Sequence, residues 1–128
     1  MPDVLVLDTD VLIDIQRGYL PALSWIQGLT SSPHITGFTA MELVQDARNK
    51  REVATARSLV APFDILWPTQ SDCEVAHKEF ERLHRSHNLG LIDALIAATV
   101  VGSSGELVTR NSKHYRAFPG LTLVRPYR

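Results

Sequence analysis

Three carboxylates and one carboxamide stand where chemistry could gather: Asp8, Glu42, Asp93 and Asn111. Asp8 ends a short apolar run, Val4-Leu5-Val6-Leu7. Asp93 is the lone charge between Leu89 and Val101. A single acid on an otherwise apolar helix must face a polar site or solvent. Carboxylates collected in one cleft repel one another, and a bound hard cation removes that cost. Mg²⁺ takes oxygen ligands, uses few carboxylates and keeps several waters. One water can then attack a phosphodiester while the cation steadies the developing charge. Zinc is a poorer match: the five histidines are scattered, and His84 and His87 read as an exposed helix face.

Taken singly, each acid also has a local explanation. Asp8 suits a strand-end turn, and Asp10 an N-cap of the next helix. Glu42 fits the far half of a capping box, Thr39-x-x-Glu42. Asp93 would complement the dipole of its helix. The joint pattern, more than any one residue, points to a metal site.

The elements that must position these residues alternate. The apolar run at residues 4–7 reads as a strand buried on both faces. Helical patterns follow at 11–17 and 19–29, then a strand at 34–38 and a long helix from Thr39 to about Val60. Pro62 breaks that helix. A third strand spans 63–67, and Ser71-x-x-Glu74 suggests a capping box for the next helix. Leu91–Val101 is an apolar helix closed by Gly102-Ser103-Ser104-Gly105. Strands at 106–109 and 121–124 complete the chain, with a loop or helical turn at 112–118. The expected fold is α/β: a three-layer α/β/α sandwich with a central, mostly parallel five-stranded sheet. Ligands in such sheets bind beyond the carboxyl ends of the strands. Asp8, Glu42 and Asn111 should therefore meet at one edge. Asp93 joins them only if its helix starts on that side, which the sequence leaves open.

Composition bounds the rest. A chain of 128 residues with 45% hydrophobic and 21% charged residues suits one globular domain, residues 1–128. The one cysteine, Cys73, fits a reducing cytosol. No signal peptide or membrane-spanning run is visible, so the expectation is a cytoplasmic protein. Net charge is −1, which excludes a strongly basic coat for nucleic acid. The charge is uneven, however. Asp3, Asp8, Asp10 and Asp14 face only Arg17 before residue 42, while Leu107–Arg128 holds Arg110, Lys113, Arg116, Arg125 and Arg128 and no acid. That asymmetry can bring an anionic polymer to an acidic centre; it also fits a solvated basic tail.

Three segments resemble one family. Val4-Leu-Val-Leu-Asp-Thr-Asp-Val-Leu-Ile-Asp14 resembles the opening of PIN domains. Gly90-Leu-Ile-Asp-Ala-Leu-Ile-Ala-Ala98 resembles their central helix. Leu107-Val-Thr-Arg-Asn-Ser-Lys-His-Tyr115, followed by Phe118-Pro-Gly-Leu-Thr-Leu-Val124, resembles their closing segment. Glu42 holds the place of the acid after the second strand. Order and spacing are kept over essentially the whole chain, and the length resembles VapC-type ribonuclease toxins.

The resemblance implies a PIN-like sandwich and a Mg²⁺- or Mn²⁺-dependent endoribonuclease. It also implies a cognate VapB-like antitoxin and a homodimer. Asp8, Glu42 and Asp93 would be metal-site carboxylates, with Glu42 accepting the proton of the attacking water and Thr9 and Thr109 as polar supports. Arg110, Lys113 and Arg116 would position the RNA backbone. The closing segment departs from the family pattern. Asn111 and His114 stand where the family often has acids; Asn111 can still offer a carbonyl oxygen or bind a metal-bound water, and His114 a phosphate contact.

Two other readings compete. Asp8-Thr-Asp10-Val-Leu-Ile also resembles the first motif of haloacid-dehalogenase-type phosphatases, with Asp8 as nucleophile and Asp10 as general acid. The later motifs of that family are missing. Alternatively, the absent fourth acid marks a catalytically weak module that binds RNA or protein; metal binding separates the two.

Overall fold

The sheet is built by five three-residue strands: β1 (Leu5–Leu7), β2 (His34–Thr36), β3 (Asp64–Leu66), β4 (Glu106–Val108) and β5 (Thr122–Val124). All neighbours are parallel, in the order β3-β2-β1-β4-β5. The computed structural model describes residues 4–128. Asp3, counted above among the acids, lies outside them.

Seven helices cover the sheet: α1 (Thr9–Gln16), α2 (Leu20–Gln27), α3 (Gly37–Gln45), α4 (Lys50–Val60), α5 (Gln70–His87), α6 (Leu91–Gly102) and α7 (Ser112–Tyr115). Alternation along each strand divides the core. Leu7, Ile35 and Val108 pack on one face with residues of α1 to α4. Val6 and Leu107 pack on the other with residues of α5, α6 and α7. Successive strand side chains point to opposite faces, so both faces need apolar residues and both are covered. This is the expected α/β/α sandwich. Among the described residues, no helix is long and apolar enough to cross a membrane.

Strand order reverses at β1: β2 and β3 lie to one side of it, β4 and β5 to the other. The crevice beyond the carboxyl ends of β1 and β4 is thus the topological switch point where such sheets bind ligands. Asp8 and Thr109 are the first residues past those two ends. The Asp8 N–H donates to the Val108 carbonyl at 2.9 Å, which locks the two exits together.

Several helix boundaries differ from the sequence expectation, each for a local reason. The cap of α1 is Asp8, not Asp10: its Oδ1 accepts from the Thr9 N–H at 2.9 Å. Helix α3 starts at Gly37, capped by Thr36, whose hydroxyl accepts from the Thr39 N–H. Gly37 lies against the Trp67 ring, and a Cβ there would meet it. Thr39 is therefore inside the helix, and Glu42 has no capping duty. The long helix expected from Thr39 to Val60 is two helices. Asn49 interrupts it by accepting the Glu52 N–H at 2.9 Å, a side-chain bond that competes with helix continuation. The capping box of α5 is Thr69 with Asp72, not Ser71 with Glu74.

Candidate active site

Asp8 is the deepest of the three carboxylates, 6% exposed. Its Oδ2 accepts from the Thr109 hydroxyl at 2.8 Å, so both oxygens are held by neutral donors. Burial, and then the charge of Asp10, pushes the Asp8 carboxyl up to about 7. Asp10, in the first turn of α1, accepts from the Arg110 N–H at 2.9 Å through Oδ2. Its other oxygen is buried without a partner. Burial raises the Asp10 carboxyl as well.

Glu42 reaches the same edge from α3. The Thr9 hydroxyl donates to Glu42 Oε1 at 2.7 Å and lies 3.0 Å from the Thr39 hydroxyl. Thr9 has one proton, and an ionised Glu42 can only accept it, so the Thr39 hydroxyl donates to Thr9. Burial raises the Glu42 carboxyl, with the Thr9 bond opposing. Thr9→Val keeps the volume and strips this chain. We expect a loss of about 1–3 kcal/mol at neutral pH, read by urea denaturation. An unchanged midpoint would mean that Glu42 does not depend on Thr9.

Asp93 sits in the first turn of α6. Helix α6 does begin at the reactive edge: the charge of Asp93 is felt by Asp8 and by Glu42. The Tyr115 hydroxyl donates to Asp93 Oδ1 at 3.1 Å, and His114 Nδ1 lies 3.9 Å from Oδ2. Among the described residues, neither Asp8 nor Glu42 has an ion-pair partner. Asp8 and Glu42 are thus held by hydroxyls and a backbone N–H with no cation against them, while Asp93 has the Tyr115 hydroxyl and, farther off, His114.

The closing segment behaves less as expected. Asn111 is exposed; its backbone N–H donates to the Thr109 hydroxyl at 3.0 Å, but its carboxamide bonds none of the carboxylates. Arg110 turns toward the C-terminus. Its guanidinium pairs with Asp14 at 2.8 Å and lies over the rings of Tyr19 and Tyr127 at 5.5 and 5.3 Å. Tyr127 also donates to Asp14, at 2.7 Å. Lys113 and Arg116 are exposed on and after α7.

Tyr115 and Thr39 are site residues that the sequence reading missed. The faint signal for Tyr115 is a hydroxyl on an otherwise apolar Tyr115/Phe118 pair beside the closing strand. Nothing local distinguishes Thr39.

The carboxylates and hydroxyls at this edge are oxygen donors, which fits a hard cation, and the buried carboxyls have surplus acceptor capacity; His114 Nδ1, 3.9 Å from Asp93 Oδ2, is a nitrogen beside them. Among the described residues, no group of three or more His, Cys, Asp or Glu side chains is placed so that together they could hold a metal ion. Mg²⁺ binds through one or two carboxylates and retains waters, so it does not require a closed protein cage.

The PIN domain family model matches residues 5–118. In sequence the chain is 31% identical over 121 residues to Ribonuclease VapC10 of Mycobacterium tuberculosis, covering 92% of this chain and 90% of that one. Its structure is similar to a chain of a toxin–antitoxin complex from Klebsiella pneumoniae, with a TM-score of 0.76 and 29% identity; 97% of this chain and 98% of that chain are covered. It is also similar to a chain of DNA-bound VapBC from Salmonella typhimurium, with a TM-score of 0.79 at 21% identity and coverage of 96% and 98%. That second likeness speaks to the fold alone.

Proposed function

The chain belongs to the PIN domain family, and on that footing we propose that it is a divalent-metal-dependent endoribonuclease toxin of the VapC type, neutralised by a cognate antitoxin. The observation that carries this reading is the trio Asp8, Glu42 and Asp93 at the switch point of the sheet, with no basic side chain balancing Asp8 or Glu42. The curated relative is called a ribonuclease, and the Klebsiella neighbour belongs to a toxin–antitoxin complex. The two apolar clusters share one sheet, which supports reading residues 1–128 as a single domain.

Asp8 and Asp93 would hold Mg²⁺ or Mn²⁺. Such an ion, when bound, stabilises charge on phosphoryl oxygens and lowers the pKa of water. Glu42 has Oε1 occupied by Thr9, which leaves Oε2 to accept the proton of the attacking water. Its raised proton affinity moves it toward the working pH of a general base. Attack in line breaks the P–O3′ bond, and the departing 3′ oxygen takes its proton from solvent. Lys113 and Arg116 contact backbone phosphates, which position the RNA without reading its sequence. Arg110 is held by Asp14 and two tyrosines, and its chief service is to fix the loop whose N–H bonds Asp10. Asn111 is left as a polar contact at the rim.

The partners follow from the same reading. A cleft of about 400 Å³ between α1, α3 and α4, lined by Ile13, Leu43 and Ala56 together with Arg17, Asp46 and the Arg48–Glu52 ion pair, supports an antitoxin segment as ligand. The homodimer has an exposed apolar surface to use in Met41, Val44, Ile65 and Trp67. The phosphatase reading is disfavoured, because the later motifs of that family are missing from the chain. The exposed Asn111 favours a second reading, a module that binds RNA without cutting.

Purified, antitoxin-free protein incubated with cellular RNA separates them. We expect discrete fragments with Mg²⁺ or Mn²⁺ and none with EDTA. Folded protein that binds RNA and cuts nothing under either metal would replace the ribonuclease with the binding module.

A further inference from the structure

Helix α7 is one turn long, and its last residue, Tyr115, is 1% exposed. The ring belongs to the apolar cluster formed with α5 and α6. Its hydroxyl is the part that the core does not need. That oxygen donates to Asp93 Oδ1 at 3.1 Å. Facing a carboxylate, which can only accept, the phenol O–H is the donor. The closing segment, which carries no acid at Asn111 or His114, delivers a neutral donor between two carboxyl groups.

Resting on the metal-site reading above, we propose that Tyr115 is a positioning residue: its hydroxyl pins one oxygen of Asp93 and leaves the other for a divalent cation. A carboxylate on a helix turn is free to rotate about its last torsion. One fixed donor removes that freedom before the ion arrives. The proton also softens the repulsion between Asp8 and Asp93 in the metal-free protein. Groups that orient a metal ligand are worth about 10–100-fold in metal affinity or activity.

The test is Mn²⁺ binding by titration calorimetry at pH 7.5, on the wild type, Tyr115→Phe, Asp93→Asn and the double variant. Phenylalanine keeps the ring and its packing, which a cooperative melt of Y115F verifies. We expect Y115F to weaken Mn²⁺ binding about tenfold. Because Tyr115 acts through Asp93, adding Y115F to D93N should cost nothing further. Equal affinity in Y115F and wild type would overturn the proposal, as would a full additional loss in the double variant. Wild-type protein that binds no Mn²⁺ would instead remove the metal site itself, and the role of Tyr115 with it. A merely structural tyrosine would lower the melting temperature of Y115F and leave the Mn²⁺ affinity alone.

Discussion

Asp93→Asn is expected to cut the rate of RNA cleavage by about 10³-fold or more while leaving the protein folded. The substitution is isosteric, and the new carboxamide oxygen still accepts the Tyr115 hydroxyl, so the contact between α6 and α7 survives. What disappears is one negative charge at the reactive edge. The helix loses its favourable acid near the N-terminus, a cost of about 0.3–1 kcal/mol. A bound cation contributes several kcal/mol to the transition state, and each 1.36 kcal/mol is tenfold in rate. The kinetic loss should therefore dwarf the change in stability. Single-turnover cleavage of an RNA substrate, paired with a urea melt, reads both. Undiminished cleavage by folded D93N would remove the central claim about the site.

The second large effect is on stability, and it runs against the usual direction for an acid. The metal-free protein should become less stable as pH rises from about 4 to about 7. Asp8 has its carboxyl raised from 3.8 to about 7, chiefly by burial. Through that window the folded protein keeps a proton that the unfolded chain has already released. The contribution is full below pH 3.8 and gone above about 7, and its size is on the order of 4 kcal/mol. Against the roughly 5–15 kcal/mol of a typical domain, that is a large share. Asp10 and Glu42 are shifted the same way and add to the slope.

Two comparisons isolate the cause. Mn²⁺ should restore stability at pH 8, since it favours the ionised carboxylate. Asp8→Asn should flatten the slope and raise the stability of the metal-free protein at pH 8, even as cleavage is lost. The carboxamide introduced by D8N can still accept the Thr9 N–H through its carbonyl, and its NH₂ can donate to the Thr109 oxygen. A wild-type urea midpoint that does not change between pH 5 and pH 8 would show that Asp8 is not held in its protonated form.

Much of this was legible in the chain. Apolar strand runs alternating with helical patterns pointed to the sandwich, because burial on both faces of a parallel sheet leaves a periodicity that local sequence records. Asp8 was visible as a strand-end acid, and Asp93 as a lone charge on an apolar helix. Helix caps were less legible. Thr36 and Thr39, or Thr69 and Ser71, offer the same hydroxyl to a helix start a few residues apart. The choice depends on where the strand ends and on neighbours such as Trp67.

The sequence by itself determined the layer architecture and the presence of three acids at element ends, since both follow from local pattern. Only the tertiary structure decided that α6 begins on the same side as β1 and β4, which no periodicity encodes. It also decided that the Thr109 hydroxyl meets Asp8 across 101 positions and the Tyr115 hydroxyl meets Asp93 across 22. And it decided that Arg110 is spent on Asp14 and two tyrosines. Such contacts join residues far apart in the chain, and they are fixed by how whole elements pack, so the identity of each residue alone could not announce its partner.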